Sequence, residues 1–362
     1  MGRSGVDAPH TGSGSTRVDP GHRDNDSTMA DLPQLTRLDK HEFDVALERA
    51  WKKHRSNHSG HVADYIPELT RVDPEKFGLA IASVHGRLHT IGDADAVFTI
   101  QSTSKPLTFC LALELAGPEL VASRVGIEPS GDPFNAIVFD PDTHRPFNPM
   151  VNAGAIAIAG LLCEQLGRDA FDAVLERISA AAGRELTMDE AVFRSECETG
   201  HRNRAIGWML RNFGNRAIAH LLLANGAMNV DPDEALDLYF RQCSIRVTAI
   251  DLARIGATFA NMGKNPVTSR LTFDLQAVRS TMSIMFTCGM YDYSGHWAYD
   301  VGIPAKSGVG GGILGVVNRQ IGIGSFSPRL DAKGNSVRGV ASFELLAEEF
   351  GLHAFECTNV GS

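Results

Sequence analysis

The sequence contains no CxxC pair, no HExxH on a predicted helix and no glycine-rich phosphate loop after a predicted strand. The first absence argues against a zinc site or a disulfide framework, the second against a zinc-hydrolase helix, and the third against a nucleotide cofactor. Six cysteines (Cys110, Cys163, Cys197, Cys243, Cys288, Cys357) are scattered, and read as free thiols of a reducing compartment. "HRSNHSGH" (54–61) reads as a polar loop, so no metal is expected. Basic residues are in deficit: 34 Lys and Arg against 43 Asp and Glu give a net charge of -9, which argues against a nucleic-acid partner. An export-type apolar leader is missing, and so is a run of about 18 apolar residues, so no membrane partner and a cytoplasmic location are expected. "AGAIAIAGLLCEQLG" is too short to span a bilayer and reads as a buried helix.

What is present suits a packed protein, with 43% hydrophobic and 21% charged residues in a chain of 362. Residues 1–34 have almost no large apolar side chains and read as a flexible tail. Helical spacing begins at "HEFDVALERAWKKH". "FGLAIASV", "RLHTI" and "AVFTIQ" then read as a small antiparallel meander. Residues 102–263 are predominantly helical. Thr187 with Glu190 fits a capping box, Asp231-Pro232 with Glu234 a second start, and Thr248 a third, with Gly263 as the C-cap of that last helix. After Pro304, "AKSGVGGGILGVV", a turn at Asn318-Arg319 and "QIGIGSF" read as strands, before a final helix, "VASFELLAEEFGLHAF". Strands at both ends and helices between them predict an α+β fold. An all-helical domain (110–263) is inserted into an antiparallel sheet domain (35–109 and 264–362), with clefts between the two.

Two stretches carry candidate chemistry. In "QSTSK", Ser102 stands at a predicted helix head with Lys105 three positions on, one turn away on the same face. A desolvated lysine has a lowered pKa and can take a serine proton near neutral pH. Ser-x-x-Lys also arises by chance roughly once in a chain this size, and a capping serine with a solvated lysine is the bland alternative. Lys306-Ser307-Gly308, opening a glycine-rich strand, supplies the second motif. In serine acyl-transfer enzymes of the penicillin-recognising type such a strand faces the Ser-x-x-Lys helix.

Further stretches accompany these: "VADYIP" (62–67), "NPMVNAGAI" (148–156), "ECETGHRN" (196–203), "LDLYFRQCSI" (236–245) and "CGMYDYSG" (288–295). Together they resemble the serine-dependent glutaminases, a family with the β-lactamase and penicillin-binding-protein fold, over about residues 40–350. The resemblance implies Ser102 as nucleophile and Lys105 as its base. It implies substrate contacts from Tyr65, Asn152, Glu196, Asn203 and Tyr239, and a tyrosine beside the nucleophile, Tyr291. It also implies that the backbone N–H of Val309 joins that of Ser102 in an oxyanion hole, that no cofactor is needed, and that the chain forms homodimers or homotetramers. Cys197 and His201 depart from residues common in the family. Many relatives carry extra domains, for which the stretch after Phe355 is too short.

The residue types fit the substrate so implied. Glutamine brings an ammonium and a carboxylate, which call for an acid such as Glu196 and for neutral donors such as Asn152, Asn203 and a tyrosine hydroxyl. Taken singly, each has a plainer explanation: Glu196 as a solvated acid, Asn203 as the cap of "RAIGWML", Tyr239 and Tyr291 as packing residues. The expected reaction is hydrolysis of L-glutamine to L-glutamate and ammonia through a Ser-Lys acyl-enzyme, with Tyr239 or Tyr291 protonating the ammonia. The rivals are a β-lactam-hydrolysing or penicillin-binding enzyme of the same fold and a catalytically silent amino-acid sensor.

Overall fold

The computed structural model describes residues 40–131, 139–206 and 215–356. The tail expected at 1–34 lies outside the described residues. In chain order the elements are α1 (Lys40–His54), α2 (Pro67–Thr70), β1 (Gly78–Ser83), β2 (Leu88–Gly92), β3 (Phe98–Thr99) and α3 (Lys105–Arg124). There follow α4 (Asn152–Leu166), α5 (Ala170–Ala182), α6 (Glu190–Ile206), α7 (Asn215–Ala224), α8 (Pro232–Cys243), β4 (Arg246–Val247) and α9 (Ala249–Ala260). The chain continues through α10 (Leu275–Cys288), α11 (Ser294–Asp300), β5 (Ala305–Ser307), β6 (Gly312–Val317), β7 (Ile321–Phe326) and α12 (Val337–Phe350).

Five strands form an antiparallel sheet in the order β2-β1-β7-β6-β5. Every residue of β1, β6 and β7 is buried, because both faces of the sheet are covered. On one face Leu79, Ile81, Ile313, Ile321 and Ile323 pack with Phe43 and Leu47 of α1 and Phe343 and Leu346 of α12. On the other, α9 lies so close that a Cβ at Gly322 would stand 2.1 Å from the Ala257 nitrogen and 2.2 Å from the Ala253 oxygen. Backbone meets backbone there, and neither side can give. Gly322→Ala is therefore expected to cost about 1–3 kcal/mol of stability, read as a lower denaturant midpoint. An unchanged midpoint would mean that α9 can lift off the sheet.

Several local readings need correction. The third strand of the expected meander, β3, does not pair with β2; it pairs antiparallel with β4, Phe98 opposite Val247. The Phe98 ring stacks on Phe326 at 4.2 Å, which draws this short strand across the sheet instead of along its edge. Among the described residues Thr187 caps no helix, because Asp189 lies nearer the start of α6 and its Oδ1 accepts from the nitrogens of Ala191 and Val192. The α9 helix closes at Ala260 with Asn261 as C-cap, and Gly263 lies beyond it at φ +87°. "AKSGVGGGILGVV" is a hairpin of β5 and β6, with residues 308–311 as the turn. Asp231 and Thr248 do cap α8 and α9, the latter through a reciprocal box with Asp251. Residues 101–124 are long and apolar enough by composition to cross a membrane, yet Leu107, Phe109, Cys110 and Leu111 are packed in the core.

Candidate active site

A 3-10 turn, Gln101–Ser104, leads directly into α3. Ser102 sits in that turn and Lys105 is the first residue of the helix, both buried. Gln101 adopts φ +48°, a conformation that costs energy for a residue with a side chain and that sets the direction in which the turn leaves β3. The Lys105 ammonium donates to Asn152 Oδ1 at 2.7 Å and to the Met150 carbonyl at 3.1 Å, and it faces no carboxylate in an ion pair among the described residues. Burial lowers its pKa to about 7, so a large fraction is unprotonated at neutral pH.

Asn152 opens α4, held by a tight turn in which Asn148 Oδ1 accepts from the nitrogens of Met150 and Val151. Its Oδ1 also accepts from the Tyr239 hydroxyl of α8 at 3.1 Å. One amide oxygen thus receives both the lysine and the tyrosine. Burial and the nearby Cys243 and Glu196 raise the pKa of Tyr239.

Glu196 projects from α6 and is buried. Its Oε1 accepts from the Tyr65 hydroxyl at 3.1 Å and from Gln101 Nε2 at 3.4 Å. Desolvation outweighs both bonds and pushes its pKa up to about 7. Tyr65 is 44% exposed as a residue, but its hydroxyl points inward, where its one hydrogen is shared between Glu196 Oε1 and Gln101 Oε1, the latter 2.9 Å away. Burial and the Glu196 carboxylate together hold that phenol well above its usual range.

Tyr291 follows α10 in a left-handed conformation, φ +57°, with its buried phenol beside Ser102, whose side chain works against the rise in pKa that burial causes. Val309 stands in the 308–311 turn. A Cβ at Gly308 would lie 3.1 Å from the Ile100 oxygen, and one at Gly310 2.6 Å from the Thr99 oxygen, so the turn rests flat on the segment that carries Ser102. Asn203 falls within α6, but its side chain lies outside the described residues.

The structure thus gathers Tyr65, Ser102, Lys105, Asn152, Glu196, Tyr239 and Tyr291 into one largely buried polar cluster, with the Val309 turn against it. Two members were not singled out in the sequence. Gln101 bridges Tyr65 and Glu196, and only its place beside Ser102 hinted at this. The Cys243 thiol lies among Glu196, Lys105, Tyr239 and Ser104, its pKa pushed up to about 12 by burial, so it is a neutral packing group. No group of three or more His, Cys, Asp or Glu side chains placed to hold a metal ion occurs among the described residues.

An antiparallel sheet flanked by helices, with Ser-x-x-Lys at a helix head beside a Lys-Ser-Gly strand, defines a β-lactamase-like protein. Within that class the glutaminase family model matches residues 60–215 and 212–355, and the chain belongs to the glutaminase family. It is 50% identical over 295 residues to glutaminase 1 of Bradyrhizobium diazoefficiens, covering 82% of this chain and 46% of that protein. The chain therefore spans about half the length of that relative. It is 47% identical over 310 residues to a glutaminase of Nostoc sp., covering 86% of this chain and 89% of the other. The crystal structure of Mglu in its glutamate form superposes with a TM-score of 0.80 at 39% identity, covering 90% of this chain and 72% of that one.

Proposed function

We propose that the protein hydrolyses the side-chain amide of L-glutamine to L-glutamate and ammonia through an acyl-enzyme on Ser102. The observation that carries this reading is the Lys105 amine: buried, with a pKa of about 7, and one turn from a buried serine. Lys105 takes the Ser102 proton as the oxygen attacks the δ carbonyl. The N–H groups of Ser102 and Val309 receive the oxyanion, in line with the close seat of the 308–311 turn. Collapse expels ammonia, which takes its proton from Lys105 by way of Tyr239 or Tyr291. Water then cleaves the γ-glutamyl ester by the reverse route.

Glu196 receives the substrate ammonium in this scheme, with Tyr65 and Gln101 completing its surroundings and Asn203 facing the carboxylate. Glutamate in the Mglu structure supports an amino-acid head group as the ligand class. Glu196→Gln is expected to lower kcat/KM roughly two to three orders of magnitude, equivalent to about 3–4 kcal/mol, because the buried ammonium loses its counter-charge. An unchanged value would remove Glu196 from that role. The cytoplasmic location and the homodimer or homotetramer belong to the same proposal, the latter checked by light scattering on the purified chain.

The direct test is a coupled ammonia assay with L-glutamine, D-glutamine and L-asparagine, with Ser102→Ala as control. L-Glutamine is expected to be turned over fastest. Hydrolysis of a chromogenic cephalosporin without ammonia release would favour the β-lactam rival, and glutamine binding with no turnover would favour the sensor.

A further inference from the structure

Asn148 opens the stretch that carries Asn152, and the reading above gives it no part in the reaction. It is 1% exposed, and its amide reaches backbone on two sides. Its Oδ1 accepts from the nitrogens of Met150 at 3.0 Å and Val151 at 3.3 Å, while its Nδ2 donates to the Glu128 carbonyl at 2.8 Å. The Glu128 nitrogen in turn donates to the Phe147 carbonyl at 3.0 Å and the Gly126 nitrogen to the Pro146 carbonyl at 2.8 Å, so residues 126–128 and 146–148 brace one another. From the other side α4 presses so closely that a Cβ at Gly154 would stand 1.9 Å from the Asn148 backbone oxygen. The residue has little room to turn.

The bond from Val151 reaches the chemistry. Its N–H belongs to the same peptide unit as the Met150 carbonyl, and a peptide unit is planar, with those two groups pointing opposite ways. Asn148 therefore grips one end of a rigid plate whose other end meets the Lys105 Nζ at 3.1 Å. Asn152 Oδ1, at 2.7 Å, is the second acceptor of that amine. Burial lowers the Lys105 pKa to about 7, so the neutral amine is well populated at neutral pH. A neutral amine has two N–H groups and one lone pair, and it turns about its Cε–Nζ bond unless something holds it. Two acceptors for two N–H groups stop that rotation and leave the lone pair a single direction.

We propose that Asn148 is a positioning residue for the general base: it fixes the Met150–Val151 peptide plane, whose carbonyl joins Asn152 Oδ1 in occupying both N–H groups of the neutral Lys105 amine, so that the lone pair is turned to Ser102. This rests on the Ser102 acyl-enzyme reading. The Ser102 proton lands on that lone pair as the O–C bond forms and becomes the third N–H of an ammonium, while the other two keep their acceptors. It leaves again for the departing nitrogen as the C–N bond breaks. Asn148 touches neither substrate nor the reacting atoms in this scheme, and acts only through Lys105.

A residue that acts through another loses its effect when the other is gone, so the test is a double-mutant cycle on the full chain. Asn148→Ala is expected to lower kcat/KM for L-glutamine at least about thirtyfold, with glutamate affinity by calorimetry within about threefold of the parent. In Lys105→Met the same substitution is expected to lower kcat/KM less than about threefold. A loss as large in Lys105→Met would mean that Asn148 supports the fold at large, a rate near the parent's would mean that the amine does not need it, and a matching loss of glutamate affinity would place it in the binding pocket; each result overturns the proposal. Should Asn148→Ala fail to fold, Asn148→Ser keeps a less well placed acceptor for the amides two and three residues on. It is expected to lose about three- to tenfold, again only where Lys105 is present, and an equal loss in Lys105→Met, or none in either, overturns the proposal. Turnover in Ser102→Ala would instead remove the acyl-enzyme reading itself, whereas the cycle can fail with that reading intact.

Discussion

Ser102→Ala is expected to lower kcat for ammonia release by about 10⁴-fold or more, while glutamate still binds with an affinity within a few-fold of the parent. In the proposed mechanism the hydroxyl is the atom to which the acyl group is joined, so no other residue can share the loss; nucleophile deletions in acyl-transfer enzymes leave only what binding and oxyanion donors supply. Ser102 is buried beside Tyr291, and among the described residues no hydrogen bond joins its side chain to Tyr65, Glu196 or Gln101. Ammonia assays and calorimetry with glutamate on the same preparation separate the two effects. Turnover near the parent rate would end the serine mechanism, and loss of glutamate binding together with activity would point to a collapsed site instead.

Lys105→Met is the second large effect, with opposite consequences for rate and for stability. Loss of the base is expected to cost about 10³–10⁴-fold in kcat/KM, in line with general-base deletions in concerted sites. In the parent, kcat/KM should rise with pH through a midpoint near 7, where Lys105 loses its proton and Glu196 becomes charged. Glu196→Gln should leave the shallower rise of one group. The stability effect has a definite sign. The folded lysine has a pKa of about 7 against 10.5 when unperturbed, so between those values the unfolded chain binds the extra proton and stability climbs with pH. Below about pH 7 the full penalty of burying the charge is present. Lys105→Met removes that penalty and should raise the denaturant midpoint at neutral pH while flattening the climb. A midpoint that falls would mean that the amine is held by more than the two oxygens it meets.

How far the sequence reads ahead of the structure depends on how local the cause is. Asp231 and Thr248 cap their helices because a side-chain oxygen two or three residues ahead of an amide reaches it whatever the rest of the chain does. Thr187 fails for an equally local reason, since Asp189 competes for the same amides and stands closer. The partner of β3 was not legible, because alternation marks a strand but says nothing of which strand it meets, and here a ring stacked across the sheet decides it. In the site, the spacing of Ser102 and Lys105 is a property of one helical turn. The resemblance marks Asn152 as a substrate contact; that its oxygen is occupied by Lys105 and Tyr239 depends on three helices meeting. Gln101 is not marked by the sequence for the same reason, its reach to Glu196 arising from a backbone conformation that composition does not announce.

The half-exposed Tyr65, with its hydroxyl turned in upon Glu196, has a thermodynamic consequence. A resting carboxyl that titrates near 7 is in good part protonated in a neutral solution. On the role proposed for Glu196, a cationic guest received beside that phenol would draw the carboxyl toward its ionised state. Each docking event then expels part of a proton into the medium. The heat of complexation should accordingly vary with the ionisation enthalpy of the buffer, and affinity should carry its own acidity term before any bond is broken.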